Sequence, residues 1–545
     1  MTTKKIEKKA SVKKSPAKKT PAKTTQGKKT SAKKTSARQA RTKKSLPEMP
    51  RPASPAPAAA VTRHVRVRMY RQGLGDCFLI TMPGKWGDFH MVIDCGVVLG
   101  TDTTGIAKLT SAVQDISTTT NNKIDLLILT HEHWDHVSGF HQVKDLIEKW
   151  NVVDVWTAWT EDRKDTLAKK IRAERRKTEA TLRLALGRVA ATGMSEQSER
   201  LAGILGFFGA TSGSTADALT YAKSLAGKNL RFCQPGEPAI ELPDLPGIRF
   251  WVLGPPKDEK LLRKSNPGKE EAYGLDDGST ASNAMFINAL TRSLGASEQT
   301  ARAPEDGALD DPFETRFQIP LIRAEHLPFF EEHYFGEVDD ASLYDRRQAS
   351  AIRNQSWRRI DGTWLDTSET LALAMDSATN NTSLVLALEI VATGEILLFP
   401  GDAQAGNLLS WQNLQWPGKN SSGKDVVITV PDLLARTVFY KVGHHGSHNA
   451  TLKEKGLELM TSDRLIAMIP VDHAMAVKKR WGKMPLPELV DRLNEKTNCR
   501  VLRVDDAPQT AADLVAAKPK NVAVEDWKAF TDRVTTKELY FEVTF

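Results

Sequence analysis

Thr130-His131-Glu132-His133-Trp134-Asp135-His136 packs three imidazoles and two carboxylates into six consecutive positions, 131–136. The run before it, Ile124-Asp125-Leu126-Leu127-Ile128-Leu129, is apolar, carries β-branched residues and lacks helical spacing of polar positions. It predicts a central strand, so the cluster falls where that strand leaves the sheet and side chains can converge on one point. Residues i and i+2 of an extended backbone share a face, which lets His131 and His133 hold one metal. Asp135 and His136 lie further round the turn, point elsewhere, and suit a second ion a few ångströms away. Imidazole mixed with carboxylate is a donor set for Zn²⁺, Mn²⁺ or Fe²⁺ rather than Ca²⁺.

Working outward, Val65–Tyr70, Cys77–Ile80 and His90–Gly96 read as three successive strands, with Gly73, Gly75 and Pro83-Gly84 as turns. In this setting Asp76 reads as a turn residue. Thr104–Ile116 and Phe140–Trp150 predict helices, and Val152–Trp156 another strand. Residues 161–227 are charged with helical spacing and predict an inserted helical subdomain. Residues 257–350, rich in Asp, Glu, Gly and Pro, predict a long, acidic, loop-rich insertion. Strands resume at Thr382–Val391. Glu395-Ile396-Leu397-Leu398-Phe399-Pro400-Gly401-Asp402 is a strand ending in a carboxylate, and Val438–His448 is a strand ending in histidines. Leu465–Ile469 and Arg500–Val504 bracket a helix at Pro485–Lys496, and Leu539–Phe545 closes the chain as a strand.

The net charge of +9 conceals two opposed parts. Residues 1–60 hold 18 lysines and arginines against Glu7 and Glu48, a net of +16, which leaves 58 basic and 65 acidic residues elsewhere. The tail repeats a Ser/Thr-Pro-Ala-Lys-Lys theme, as in Ser15-Pro16-Ala17-Lys18-Lys19 and Thr30-Ser31-Ala32-Lys33-Lys34. With almost no large apolar side chains it predicts a disordered segment, followed by a Pro/Ala linker at 52–60. Its composition resembles linker-histone tails, and Lys18, Lys19, Lys33 and Lys34 are candidates for salt-sensitive contacts to nucleic acid. Cys77, Cys95, Cys233 and Cys499 form no CxxC pair, against both a disulfide framework and a cysteine zinc site. The longest apolar runs fall short of the roughly 18 residues a membrane helix needs. Without a secretory signal the default location is the cytosol, with nucleoid association as what the tail would allow.

His131-x-His133-x-Asp135-His136 after an apolar strand resembles the signature of the metallo-β-lactamase superfamily. Gly73-Leu74-Gly75-Asp76-Cys77-Phe78-Leu79-Ile80 and Val92-Ile93-Asp94-Cys95-Gly96 look like that fold's opening strands, and Gly401-Asp402 like its bridging carboxylate. Lys441-Val442-Gly443-His444-His445-Gly446-Ser447 resembles the last histidine motif of the soluble catalytic domain of ComEC-type DNA-uptake proteins. The resemblance spans roughly residues 64–505. It implies an α/β fold, a four-layer αβ/βα sandwich with two divalent metal ions, Zn or Mn, between the sheets. His131 and His133 would bind the first ion, Asp135, His136 and His445 the second, and Asp402 would bridge them. Asp94 would orient a ligand imidazole, His444 would stand behind the ligands or touch substrate, and Ser447 and His448 would donate to a phosphate or cap the turn. Many relatives have a further histidine at the first ion, for which only His141, His326 and His333 are available, none at a strand end.

Two cations sharing a hydroxide lower its pKa and clamp the attacking and leaving oxygens of a displacement, with Asp135 and His444 as the catalytic candidates. The expected activity is that of a metal-dependent hydrolase acting on an anionic phosphodiester, a phosphodiesterase or nuclease tethered by its tail. Small-molecule phosphoesterase, cyclic-nucleotide hydrolase, thioester or lactone hydrolase, and a non-enzymatic nucleic-acid-binding module are the alternatives.

Overall fold

The computed structural model describes residues 64–545 except 102, 192–194, 211–212, 228, 269–270, 272–318, 320, 325, 331–332, 335–365, 420–423, 480, 482 and 506–509. The basic tail and linker, with Lys18, Lys19, Lys33 and Lys34, lie outside the described residues, as does most of the acidic insertion.

Two mixed sheets carry the fold. In spatial order the first holds eight strands: Val534–Thr536, Tyr540–Thr544, Arg66–Tyr70, Cys77–Gly84, Gly87–Cys95, Lys123–Leu129, Asn151–Ala158 and Leu230–Cys233. The second holds seven: Val501–Arg503, Ile466–Ile469, Thr437–Lys441, Glu395–Phe399, Val385–Ile390, Ile248–Gly254 and Ile240–Glu241. Successive side chains of a strand face opposite ways, and both sheets use both faces. Phe78, Ile80, Met91, Ile93, Leu126 and Ile128 of the first sheet meet Phe250, Leu386, Leu388, Leu397, Phe399 and Phe439 of the second in one core between them. The alternate residues Leu79, Val92, Leu127 and Leu129 pack outward on the helices Thr103–Thr120 and Thr215–Ser224. Trp251, Ala387, Leu398 and Ala467 pack outward on the helices Ala405–Ser410, Val430–Ala435 and Pro487–Thr497. Strands buried on both faces explain the unbroken apolar runs. The result is the α/β, four-layer αβ/βα sandwich that the resemblance implies.

The strands around the centre of each sheet run parallel: Gly87–Cys95, Lys123–Leu129 and Asn151–Ala158 in one, Glu395–Phe399, Thr437–Lys441 and Ile466–Ile469 in the other. Their carboxyl ends therefore fall together, the usual place for a ligand in such sheets.

Some elements differ from expectation. Phe140–Trp150 is two single turns, Gly139–Gln142 and Lys144–Ile147, because Val143 leaves helical geometry with ψ 31°. The helix after the third strand runs to Thr120 and stops where Asn121 and Asn122 take left-handed φ of 51° and 59°. Residues 161–227 do hold helices, Thr166–Ala191, Ser195–Leu205 and Thr215–Ser224. The helix Asp366–Asn380 has no counterpart in the sequence reading. No described helix is long and apolar enough to cross a membrane.

Candidate metal centre

The signature loop is anchored before it turns. Thr130 donates its backbone N–H to Asp94 Oδ1 (2.8 Å) and its hydroxyl to Asp94 Oδ2 (2.5 Å), while its carbonyl accepts from Leu384 N (2.9 Å), just before the strand Val385–Ile390 of the other sheet. Behind the loop, Gly96 lies so close that a Cβ there would sit 2.4 Å from the Asp135 carbonyl oxygen, and Asp76 N donates to the same oxygen (3.0 Å). Only glycine permits this approach, and it fixes where the turn Trp134–Val137 begins.

His131 Nε2 and His133 Nδ1 converge to 2.9 Å. Burial, reinforced by the neighbouring His136 and His133, holds the His131 pKa well below its ordinary value. Burial pushes His133 down to about 3 against the pull of Asp135. Both rings are therefore neutral and offer lone pairs, the form in which imidazole binds a cation.

Asp76, His136, Asp402 and His445 place one ligand atom each within 4.8 Å of one another, and all four are buried. His136 Nε2 is 3.0 Å from Asp402 Oδ2, and His445 Nε2 is 3.4 Å from that oxygen and 2.9 Å from Asp135 Oδ2. The outer nitrogens are occupied: His136 Nδ1 contacts Asp94 Oδ2 (2.8 Å) and His445 Nδ1 the Pro470 carbonyl (2.7 Å). Each ring thus turns Nε2 inward, the arrangement that carboxylate and carbonyl partners impose on metal-ligating histidines. His136 Nε2, His133 Nε2 and Asp135 Oδ1 are buried without a hydrogen-bond partner. For His136 this holds although Asp402 is only 3.0 Å away, so the two atoms are not aligned on each other. His136 Nε2 lies in the group of four and Asp135 beside it, whereas His133 Nε2 faces Asp376; orphaned atoms beside clustered ligand atoms are the donor set of a divalent cation, and the residues fit it.

Asp402 itself is held on one side. Its Oδ1 accepts from Lys441 Nζ (2.9 Å) and from His444 N (3.1 Å), leaving Oδ2 toward the histidines. The fully buried Lys441 also donates to the Gly401 carbonyl (2.7 Å) and pairs with Asp76 Oδ2 (2.6 Å). To reach these positions His444 and His445 both take left-handed backbone, φ 43° and 53°, a strain that accumulates at functional sites. His444 Nδ1 meets Gln404 Nε2 at 3.0 Å, and its Nε2 lies 3.5 Å from Asn380 Nδ2. Burial pushes His444 down to about 4. Ser447 donates to Asn449 Oδ1 (2.9 Å), and His448 Nε2 lies 3.4 Å from Asn266 Oδ1.

Burial lowers the pKa of His136, but Asp402, Asp76, Asp135 and Asp94 outweigh it and hold the ring well above its usual range; His445 is likewise raised, chiefly by Asp402 and Asp135. In the metal-free protein these two protons stabilise the fold fully below about pH 6.5, the unfolded value, and that contribution is lost as pH rises through their raised folded values. A cation must displace the same protons, so its affinity rises with pH. The gap in melting temperature between zinc-loaded and EDTA-treated protein is therefore expected to widen from about pH 6 to about pH 8 in a thermal-shift series. A gap that narrows would rule this out.

A family model for the metallo-beta-lactamase superfamily matches residues 70–186. Those residues are similar to that superfamily. They include the Gly75-Asp76 turn, Asp94 and the whole His131–His136 cluster. A search of curated proteins finds no match to the chain. That superfamily consists generally of hydrolases that bind divalent metals, and the four clustered side chains outside and inside the matched span are a group that could hold one.

The six expected ligands, His131, His133, Asp135, His136, Asp402 and His445, are thus brought into one buried neighbourhood, with Asp94 behind His136 and His444 beside Asp402. The candidates for a third histidine lie elsewhere: His141 is exposed against Trp134, His326 is exposed, and His333 packs on Phe329. Asp76, read as a turn residue, does follow the bend at 72–75, and its carboxylate is 1% exposed and joins the group of four. Lys441 stood in the quoted motif without a role. Asp376, on the helix Asp366–Asn380, had no local signal at all.

Proposed function

We propose that this chain is a metal-dependent phosphodiesterase or nuclease working with two divalent ions, Zn or Mn, and nearest in kind to the ComEC-type catalytic domain. His131 and His133 would hold the first ion, Asp135, His136 and His445 the second, and Asp402 would lie between them.

The observation that carries two ions rather than one is charge. Asp76, Asp94, Asp135, Asp376 and Asp402 are all buried around this centre, and Lys441 is the buried lysine among them. In the metal-free protein the protons on His136 and His445 and the raised pKa of Asp76 and Asp376 answer part of that charge, and two divalent cations would replace those protons. When bound, such ions lower the pKa of a water toward neutrality and polarise an oxygen of the scissile ester. The chain's own residues do the rest. Asp94 and the Pro470 carbonyl keep His136 and His445 turned inward. Lys441 pins Asp402 by one oxygen and leaves the other open. Asp135 and His444 are the proposed proton carriers: Asp135 Oδ1 has no hydrogen-bond partner, and His444, neutral near pH 7, offers a lone pair rather than a charge. The tail's net +16 supports nucleic acid as the anionic partner and a cytoplasmic, nucleoid-associated place for the chain.

The test is hydrolysis by the metal-loaded full chain of single- and double-stranded DNA, RNA, cyclic dinucleotides, bis(p-nitrophenyl) phosphate and an acyl ester. Cleavage of a nucleic acid with the ester untouched is expected. Turnover of the ester alone would sink the phosphodiester reading, and turnover of cyclic dinucleotides alone would move it to a small-molecule enzyme. For the tail, DNA binding of the full chain is expected to fall steeply with salt, and a chain starting near Val61 to lose that slope.

A further inference from the structure

His133 shows two nitrogens to two different neighbours. Nδ1, converging with His131 Nε2 at 2.9 Å, is the atom that faces the place of the first ion. Nε2 faces the opposite way, onto Asp376 Oδ1 at 3.6 Å. Both of these atoms are buried and neither has a hydrogen-bond partner. The Asp376 side chain is only 9% exposed, and its helix packs Leu371, Ala372 and Met375 against Phe207 and Phe208. Those two rings flank His133, with centroids 5.3 and 5.0 Å from it. Asp376 has one neutral donor, Asn380 Nδ2 at 3.1 Å on its other oxygen. Burial, with Asp135 and Asp402 nearby, holds the Asp376 pKa well above the usual carboxylate range in the metal-free protein, so its ionised form needs a second partner, and the His133 N–H turned to a loaded site supplies one.

The geometry points to Asp376 as the positioning residue of the first metal site: it accepts the Nε2–H of His133 and so fixes the tautomer whose Nδ1 lone pair faces the cation. This rests on the proposed metal centre and deepens it. The flanking phenylalanines hold the ring in place, but a hydrocarbon edge cannot choose between tautomers, whereas a carboxylate does, and it also makes the imidazole a stronger donor. A stronger donor is what this site needs, because among the described residues His141, His326 and His333 are all turned elsewhere. The present 3.6 Å is beyond hydrogen-bond reach, and such contacts commonly tighten on loading. Asp376 has no direct share in the group of four around His136, so the effect belongs to one ion only.

The experiment compares the full chain with Asp376→Asn and Asp376→Ala, using zinc titration against a chromophoric chelator, cobalt absorption spectra and the long-range ¹⁵N–¹H spectrum of the histidines. Asparagine keeps the shape and an acceptor oxygen, so it tests the charge without the packing change that alanine brings. The wild type is expected to take two ions. In Asp376→Ala one of them binds about 10- to 100-fold more weakly, the other is unchanged, and His133 loses its Nε2–H preference; Asp376→Asn falls between. At saturating cobalt the spectrum stays that of the wild type, since no ligand has been removed. Unchanged affinity for both ions, or equal weakening of both, overturns the inference. A changed spectrum at saturation makes Asp376 a ligand and overturns the positioning role. A wild type that takes no ion overturns the metal centre and this inference with it, which separates the two failures.

Discussion

Asp402→Ala is expected to abolish hydrolysis of bis(p-nitrophenyl) phosphate by the metal-loaded protein, a fall of about a thousandfold or more, the upper end of what removing one pre-organised charged or dipolar group costs. Four groups meet at this carboxylate. Lys441 and His444 N hold Oδ1, and His136 and His445 approach Oδ2 at 3.0 and 3.4 Å. Its pKa is set by burial, which pushes it up, and by Lys441, His136 and His445, which prevail and hold it well below the usual carboxylate range. It is therefore ionised near neutral pH, and alanine removes both a proposed ligand and the anion that balances two histidines. Metal analysis of the variant should show at least one ion lost. Wild-type turnover in Asp402→Ala, with its metal content halved or not, would leave no place for Asp402 between two ions.

Lys441→Met is expected to destabilise the EDTA-treated protein by about 3–5 kcal/mol, the usual cost of stripping one partner from a buried ion pair. Methionine fills the space of the lysine stem, so the loss is one of charge and not of packing. Lys441 is buried, its pKa is raised because Asp402 and Asp76 outweigh burial, and it makes three contacts of 2.6–2.9 Å with Asp76, Gly401 and Asp402. Without it, Asp76 and Asp402 face each other across the group with only histidine protons to answer them. Urea denaturation measures the difference. Adding Asp76→Asn to Lys441→Met should recover part of the loss, because the two residues share one interaction and their effects do not add. A double variant that loses the full sum of the two singles would show that Asp76 and Lys441 act independently.

The elements legible in the sequence were those where a single short-range rule is strong. Ile124–Leu129 could be read as a buried strand because its whole surface is covered, and both faces of that strand are indeed in cores. The pairing of His131 with His133 followed from side-chain alternation, and 2.9 Å between their nitrogens is that alternation realised. Asp402 and the histidines at 444–445 were visible because each follows an apolar run at a strand end. Phe140–Trp150 differs: its apolar spacing is helical and Phe140, Val143 and Ile147 do share one core, yet the backbone leaves helical geometry at Val143.

By itself, then, the sequence determined which residues have ligand chemistry and at which strand ends they stand, since alternation and burial are local properties of a few residues. Only the tertiary structure decided how they are oriented and balanced. Asp94 reaches His136, Lys441 joins Asp76 to Asp402, and Asp376 arrives beside His133 from a helix more than two hundred residues on. Those partnerships depend on where two sheets and a helix come to rest in space, and electrostatic contact across such distances in sequence leaves no pattern in the local order of residues.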